Sequence, residues 1–535
     1  MYHDKQILES LKLVEAARAE NVKQNPRRMT AEEKEQLLAA FHPDFRQDQF
    51  ATLKIGPNAG EKVPHELAAL LQGKSRLTEK TLDLSNPEYD VDVLVIGGGG
   101  AGASAAIEAD EAGAKVMVVT KLRMGDANTM MAEGGIQAAD KPNDSPAQHF
   151  LDAYGGGHFA AQKDLLYKLV TEAPEAIAWL SNLGVEFDKA PDGTMITTHG
   201  GGTSRKRMHA AKDYSGAEIM RTLRDEVLNR QIPVLDYTAA IELIKDDQGH
   251  CAGAVLMNME NGEIYIARAK TVIMATGGAG RLHYQGFPTS NHYGATADGL
   301  VLAYRAGARL LYPDTLQYHP TGAAFPAQIF GALVTEKVRS LGAMLINAKG
   351  EAFMNPLETR DVSAASIIRE CSERGNGIKT PQGDAVWLDT PMIEIKGGEG
   401  TIEKRIPAMM RMFGKYGIDI RKEPILIYPT LHYQNGGIKI SADGQSELEN
   451  LFVAGEAVGG IHGRNRLMGN SLLDIIVFGR NAGRNAAAKA AGVKVGTLNI
   501  DHVAAFEKVR EEAGMQEGVQ SPQLLPDYTR LNNTL

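Results

Sequence analysis

A strand, a glycine-rich turn, a helix and a second strand follow one another within residues 91–120, and this unit restricts the fold more than any other part of the sequence. The apolar run at residues 91–96 leads into a G-x-G-x-x-G pattern formed by Gly97, Gly99 and Gly102. Residues 101–111 are compatible with a helix, and residues 115–120 are again apolar. The unit predicts a parallel sheet that opens with a nucleotide-binding turn.

The residues after the second strand indicate which nucleotide is bound. Glycines in such a turn let the backbone approach a pyrophosphate, and the amides at the helix N-terminus favour its negative charge. NAD-binding units carry Asp or Glu after the second strand to hold the ribose, whereas this chain has Thr120 and Lys121 there. This difference favours FAD. Glu456, which follows a later strand, is a candidate polar contact on the flavin side.

Two further apolar strands run into glycines, at residues 271–277 and 451–455. Three such junctions, far apart in sequence, predict one nucleotide-binding sheet built from separate segments. The predicted fold class is α/β, with a discontinuous Rossmann-like FAD-binding domain, an inserted α+β capping domain and a helical N-terminal extension. The predicted boundaries are 1–85 for the extension, 86–310 with 431–492 for the FAD-binding domain, 311–430 for the capping domain and 493–535 for a short tail.

Composition argues against several other classes of protein. A formal charge of −9 and a pI near 5.9 disfavour nucleic-acid binding, which needs a basic surface. Cys251 and Cys371 are too far apart to supply an iron–sulfur or c-type haem site, so no metal is expected and electrons must arrive from another polypeptide or a diffusible carrier. No apolar run approaches the ~20 residues that span a bilayer, and no signal-peptide core is present. We expect a cytoplasmic chain that reaches the inner face of a membrane only through partner subunits.

Four cationic or proton-handling side chains lie downstream of the glycine turn among small or turn-forming residues, namely His319, Arg360, His432 and Arg466. An acidic protein that binds an anion must build a locally positive pocket against its own net field. Beside a redox cofactor, this set favours an oxidoreductase that holds a small dianion.

A family resemblance first becomes visible in the segment Ala-Asn-Thr-Met-Met-Ala-Glu-Gly-Gly-Ile at residues 127–136. It continues in order through residues 152–156, 275–280, 317–322, 335–339, 360–361, 432–437 and 462–472. These motifs resemble the flavoprotein subunits of succinate dehydrogenase and fumarate reductase, over residues 90 to about 490. The resemblance implies an FAD-dependent enzyme that acts on the CH–CH bond of a C4 dicarboxylate, with fumarate and succinate as the reactant pair.

The resemblance also implies roles for single residues. Arg466 resembles the guanidinium that clamps one substrate carboxylate, and His319, Thr335 and His432 resemble the remaining carboxylate ligands. Arg360 is the implied proton donor to the carbon beside the one that accepts hydride from FAD N5, with Glu336 and Arg339 as its supply from solvent. The implied cofactor-binding residues are Gly97, Gly99, Gly100, Gly102, Thr120, Lys121, Asn128, Thr129, Glu133, Gly134, Gly135, Ala275, Thr276, Gly277, Asp298, Glu456, Asn470, Ser471 and Leu472.

One departure from the family pattern concerns the flavin. Membrane-bound members attach FAD through a His at the position that Asn128 occupies here. Asn lacks a nucleophilic nitrogen, so we predict dissociable FAD. Covalent attachment favours succinate oxidation in the family, and its absence favours reduction of the double bond.

Three functions remain open at this point. The first is a fumarate reductase-like flavoprotein fed by a separate iron–sulfur or other redox subunit. The second is an oxidase of the L-aspartate oxidase type, and the third is an electron-transfer flavin subunit with a vestigial dicarboxylate site. The complete set of Glu336, Arg339 and Arg360 argues against the third. Members that pair with an iron–sulfur subunit carry a longer C-terminal helical domain, so residues 1–85 are the alternative candidate for a partner contact.

Overall fold

The computed structural model describes residues 2–77, 82–515 and 517–526. Its central sheet contains seven strands: Tyr89–Ile96, Val116–Val119, Val234–Leu235, Thr238–Lys245, Cys251–Asn258, Ile264–Met274 and Leu451–Val453. Tyr89–Ile96 and Leu451–Val453 both pair parallel with Ile264–Met274. The three predicted strand-to-glycine junctions therefore end at one edge of one sheet, which confirms the α/β class.

Two helices, Gly100–Glu111 and Asn470–Ala490, pack against each other over this sheet. Glycines allow their close approach: a Cβ at Gly483 would lie 2.3 Å from the Ala105 carbonyl oxygen, and one at Gly479 would lie 2.7 Å from that of Ala101. The parallel segments 93–96, 116–119, 271–274 and 451–453 of this sheet are buried on both faces, as parallel strands require.

A second sheet carries the other core of the molecule. Its strands are Leu316–Ala323, Met344–Ile346, Ile378–Thr380, Gly383–Asp389 and Ile425–Gln434. The helices Lys337–Ser340, Arg360–Ser372, Met392–Gly397, Thr401–Arg405 and Pro407–Gly414 belong to the same part of the chain. The predicted boundary at 310/311 falls inside the strand Leu310–Leu311, and the one at 430/431 falls inside Ile425–Gln434. At both places the chain passes between the two predicted domains in an extended conformation.

The segment before residue 85 is only partly helical. Its helices are Lys5–Asn21, Ala31–Phe41 and His65–Leu71, and its short strands are Phe50–Thr52, Lys62–Pro64 and Lys74–Ser75. In the first helix Ile7, Leu11 and Val14 enter the second core, whereas Leu8 and Leu13 are exposed. These three buried residues are separated by four and three positions, which places them on one face of the helix. The prediction that this segment is a helical extension therefore missed its strands.

The predicted tail also contains regular structure. A helix spans Asp501–Glu512, and Gln520–Ser521 pairs parallel with Lys74–Ser75. Residues 78–81 of the extension and 527–535 of the tail lie outside the described residues. Within the described ranges, no helix is both long and apolar enough to cross a bilayer.

The remaining elements connect these bodies. The other α-helices are Asn128–Met131, Pro146–Gly156, Lys163–Thr171, Ala173–Asn182, Ser215–Asn229 and Asp298–Arg305. The 3-10 turns are Pro43–Phe45, Gln47–Gln49, Gly280–Leu282, Tyr284–Gly286, Ala327–Ile329 and Gly455–Ala457. The small strands Ile136–Gln137, Thr197–Thr198 and Met208–His209 form one sheet, and Leu310–Leu311 pairs with Gly437–Ile438.

Candidate active site

A cavity of about 1340 Å³, including its solvent-open part, lies at the carboxyl ends of the central strands. This is the edge at which parallel sheets bind their ligands. The sequence-predicted residues that line it are Gly97, Gly99, Gly100, Thr120, Lys121, Asn128, Thr129, Ala275, Thr276, Gly277, Asp298, His432, Glu456, Arg466, Ser471 and Leu472. The cavity therefore joins residues that are more than 370 positions apart, with glycines at one end and His432 and Arg466 at the other.

Five of the predicted cofactor residues do not line this cavity. A Cβ at Gly102 would lie 1.8 Å from the Gly97 oxygen, and one at Gly135, whose φ is +125°, would lie 2.4 Å from the His209 oxygen. Gly134 faces Met468, and Asn470 Oδ1 lies 2.9 Å from a ring nitrogen of His149. Burial raises the pKa of Glu133, the fifth residue. Gly102 and Gly135 thus permit close packing just behind the cavity wall.

The glycine end has the features that a pyrophosphate needs. The helix Gly100–Glu111 begins at the cavity, where it presents the positive end of its dipole. The helix Asn470–Ala490 begins there as well, with Ser471 and Leu472 on the wall. The Thr129 hydroxyl accepts a hydrogen bond from the Gly100 amide at 3.1 Å and holds the turn in shape. These residues fit a dinucleotide such as FAD.

Lys121 is already paired at this end. Its Nζ lies 2.5 Å from Asp298 Oδ2 and 2.6 Å from the Thr296 hydroxyl, and it also donates to the Leu524 carbonyl at 2.7 Å. The amine therefore offers little free charge to a ligand. Its contact with Leu524 ties the C-terminal segment to the rim of the cavity.

Asn128, the residue at the family's flavin-attachment position, is held by a polar network. Its side-chain amide donates to Asn291 Oδ1 at 2.9 Å and to Glu456 Oε2 at 3.2 Å, and its oxygen accepts from the His292 amide at 2.5 Å. Burial raises the pKa of Glu456 to about 7, although hydrogen bonds from the Gln434 amide and from Asn128 oppose that shift. Both the amino group and the oxygen of the Asn128 side chain are therefore already engaged in hydrogen bonds.

Two histidines lie close together at the other end, where His432 lines the cavity and His319 lies behind it. The rings of His319 and His432 lie 5.0 Å apart, and His432 Nδ1 lies 2.7 Å from the Ser290 hydroxyl. His319 Nδ1 accepts from the Thr321 amide at 3.2 Å, and its buried Nε2 has no partner among the described residues. Burial, reinforced by Arg360, lowers the pKa of both rings well below the ordinary value. Both histidines are therefore neutral at pH 7.

Arg466 is a buried guanidinium without a carboxylate partner in the described part of the chain. It lies over the Tyr433 ring at 4.3 Å, and its Nε makes no hydrogen bond within the same ranges. Burial, with a further contribution from the positive charge of Arg360, lowers its pKa to about 9. A buried cation in this state is stabilised by an incoming anion.

Arg360 begins the helix Arg360–Ser372 and points to a carboxylate. Its Nε donates to Glu336 Oε2 at 2.9 Å, and Arg339 Nη2 lies 3.4 Å from the same oxygen. The other oxygen of Glu336 accepts from the Gly201 amide at 2.5 Å. Burial alone would raise the pKa of Glu336, but the two guanidinium groups outweigh it and the net shift is downward. Arg360 and Arg339 therefore share one carboxylate, and Arg466 forms no ion pair with a carboxylate of the described residues, so positive charge remains available for a dicarboxylate.

Gln317 connects the two arginines, a role that sequence reasoning missed. Its Oε1 accepts from Arg360 Nη1 at 3.0 Å, and its Nε2 donates to the Arg466 carbonyl at 2.7 Å and to Asn465 Oδ1 at 3.0 Å. The residue begins the motif 317–322, immediately before Tyr318 and His319, but nothing in its sequence context indicates the bridge. Thr335 is buried nearby and accepts from the Lys337 amide at 3.4 Å.

Tyr433 and Asp474 were also missed. The Tyr433 hydroxyl donates to Asp474 Oδ2 at 3.0 Å, and His462 Nε2 lies 2.8 Å from the same oxygen. Asp474 is fully buried on the helix Asn470–Ala490, just beyond the last family motif. This chain of contacts fixes the ring on which Arg466 rests.

Comparisons with known proteins agree with this geometry. Residues 92–472 match the family model described as FAD binding domain. The chain is 39% identical over 412 residues to a subunit of the CoM/CoB fumarate reductase of Methanothermobacter marburgensis, a match that covers 75% of this chain and 73% of that relative. It is 36% identical over 421 residues to the L-aspartate oxidase of Streptomyces coelicolor, a match that covers 76% and 70% respectively.

A solved structure extends the agreement to three dimensions. A variant of Escherichia coli quinol fumarate reductase superposes with a TM-score of 0.72 at 33% identity, over 79% of this chain and 74% of that one. FAD is therefore the cofactor of this protein. The chain belongs to the family of FAD-dependent oxidoreductases that contains the flavoprotein subunits of fumarate reductase and succinate dehydrogenase.

Proposed function

We propose that this chain reduces fumarate to succinate, or catalyses the reverse reaction, as the flavoprotein subunit of a larger redox system. The observation that carries this proposal is the pair of buried arginines, Arg360 and Arg466. Gln317 accepts from the guanidinium of Arg360 and donates to the main-chain carbonyl of Arg466. Arg466 has no ion pair among the described residues and Arg360 shares Glu336 with Arg339, so both guanidinium groups can accept negative charge from a dianion. The similarity to fumarate reductase subunits supports the same substrate class.

Binding of the substrate uses the partners that are still free. Arg466 would clamp one carboxylate, because a planar guanidinium matches it bidentately and Arg466 has no competing carboxylate among the described residues. His319, His432 and Thr335 would donate to the remaining carboxylate oxygens. His319 and Thr335 are buried and His432 is half-buried, and exclusion of water strengthens hydrogen bonds at the buried positions.

Proton delivery is assigned to Arg360. When bound, FAD supplies hydride to one alkene carbon of the substrate. Arg360 would give a proton to the neighbouring carbon, whose carbanion character makes it basic enough to take it from a guanidinium. The hydrogen bond from Arg360 Nε to Glu336 and the contact of Arg339 with the same carboxylate provide the return path for a proton.

The direct test combines two assays on the purified protein. We expect oxidation of dithionite-reduced viologen when fumarate is added, and no hydrogen peroxide from L-aspartate with oxygen. The opposite result would assign the L-aspartate oxidase activity instead, which the relative from Streptomyces coelicolor makes the second candidate. Turnover in neither assay would leave an electron-transfer subunit with a vestigial dicarboxylate site.

We also propose that the FAD is held without a covalent bond. Asn128 stands where the family places a nucleophilic His, and both ends of its side-chain amide are engaged in hydrogen bonds. Acid precipitation should release all the flavin into the supernatant. Yellow colour that stays with the pellet would contradict this assignment.

The electron supply is proposed to be a separate iron–sulfur or other redox protein. The two cysteines are buried and form no disulfide, and the fumarate reductase relatives from Methanothermobacter marburgensis and Escherichia coli are named as subunits. When the chain is purified from the cells that produce it, a second polypeptide that contains iron and labile sulfide should copurify. A preparation that reduces fumarate with a physiological nicotinamide donor and no second polypeptide would overturn this proposal.

A further inference from the structure

We propose that residues 26–44, here termed the N-terminal brace, position the proton donor Arg360. The inference rests on the proposed function and deepens it. The family match begins at residue 92, so these residues lie outside the part of the chain that the family defines. Their contacts converge on the loop 355–359, which immediately precedes Arg360.

The brace contacts this loop at three points. Lys34 Nζ lies 2.8 Å from Glu358 Oε2, and the Met29 amide donates to Glu358 Oε1 at 2.7 Å. Asn355 Nδ2 donates to the Pro26 carbonyl at 2.7 Å. The Glu358 side chain is only 1% exposed, so both its oxygens depend on the brace for compensation of the buried charge. Glu358 is two residues from Arg360.

The opposite side of the same loop contacts the proton path. Arg339 Nη1 donates to the Pro356 carbonyl at 2.5 Å. A Cβ at Gly201, whose amide binds Glu336, would lie 3.1 Å from the Glu358 carbonyl oxygen. A displacement of the loop would therefore move Arg360 and disturb the partners of both Arg339 and Glu336.

Apolar packing fixes the orientation of the brace. Leu37 and Leu38 pack on Val362 and Ala365, in the first two turns of the helix that Arg360 begins. The brace helix itself starts at a capping box between Thr30 and Glu33. Further along, Asp44 Oδ2 accepts from the Leu316 amide at 3.1 Å, next to the bridging Gln317. The brace thus supports the helix that Arg360 begins and the strand that carries Gln317.

A purely structural role is the competing explanation, and the chain offers a matched control for it. Arg18, in the first N-terminal helix, pairs with the buried Asp389 at 2.9 Å. This contact also attaches the N-terminal segment to the second core. It lies at the end of the strand Gly383–Asp389, away from the loop 355–359, and involves none of the site residues. Arg18→Met and Lys34→Met each remove one cation from a buried carboxylate.

The experiment measures viologen-coupled fumarate reduction by the full-length holoprotein. We expect Lys34→Met to lower kcat about tenfold or more, because misplacement of a reacting group is costly, with KM for fumarate within about twofold and FAD content unchanged. The solvent deuterium isotope effect on kcat should increase, and Lys34→Arg should restore most of the rate. Arg18→Met should lower the melting temperature without either kinetic change.

Each outcome separates the two proposals. Wild-type protein that fails to reduce fumarate would overturn the proposed function and this inference together. Active wild type with unchanged kcat in Lys34→Met, or equal kinetic effects of Lys34→Met and Arg18→Met, would overturn the inference alone. If Lys34→Met does not fold, Glu358→Gln decides: it keeps an acceptor for the Met29 amide but removes the ion pair, and it should show the same selective loss of kcat.

Discussion

The two ends of the cavity are built by different means. The nucleotide end consists largely of backbone and small side chains at three strand ends, and its one lysine, Lys121, is already neutralised by Asp298. The proposed dicarboxylate end consists of polar and charged side chains from distant segments, and Arg466 there has no carboxylate partner among the described residues. The first end depends on close approach of backbone, whereas the second stores unpaired charge that a substrate relieves. Substitutions at the two ends should therefore impair different properties of the protein.

Arg360→Lys should produce the largest effect and should be confined to the dicarboxylate end. Lysine cannot reproduce the two directed bonds to Glu336 and Gln317, so we expect fumarate reduction to fall by more than about a hundredfold. FAD content, read from the flavin absorbance, should stay at the wild-type level. Normal turnover would remove Arg360 from the acid role.

Gly102→Ala should break the nucleotide end. The added Cβ would lie 1.8 Å from the Gly97 oxygen, so the turn and the helix must separate. We expect a loss of about 1–3 kcal/mol in the free energy of unfolding and purification with little bound FAD. Gly155→Ala, whose Cβ meets nothing within 4 Å, is the control and should retain both. Full flavin content in Gly102→Ala would contradict the close-packing account.

Gln317→Leu tests whether the dicarboxylate end acts as one unit. The change leaves Arg360 Nη1 and the Arg466 carbonyl without their shared partner, a cost of about 1–3 kcal/mol for buried groups. We expect kcat/KM for fumarate to fall about tenfold while FAD binding is unaffected. An unchanged kcat/KM would show that the two arginines are positioned independently.

Glu456→Gln should have the smallest effect on turnover, and its effect is read from the pH dependence of stability. Burial raises the pKa of Glu456 to about 7, above its ordinary value of 4.5. The unfolded chain therefore binds fewer protons than the folded protein in this window, and stability is lost as pH rises from 4.5 to about 7. The slope is at most about 1.4 kcal/mol per pH unit. Denaturation of the apoprotein across this window should show a shallower decline in the variant, and identical slopes would refute the shift.

The two ends of the cavity also differ in how far the sequence predicts them. The glycine junctions at residues 97–102, 276–277 and 455 could be placed on one sheet edge because each lies at the end of an apolar strand. Gln317 and Asp474 could not be recognised, because a polar side chain reveals its partner only when two distant segments meet. The strands before residue 85 and the helix Asp501–Glu512 were missed for a related reason, since short elements take their stability from tertiary contacts.

The sequence by itself determined the α/β class, the nucleotide turn and the residue types that can hold a dianion, because these depend on local periodicity and on steric limits at glycine. Only the tertiary structure decided that Arg466 is left without a carboxylate partner in the described chain, that Gln317 joins it to Arg360, and that residues 26–44 bind the Arg360 loop. Burial and pairing of charge are properties of the assembled chain, since they depend on which segments exclude water from one another.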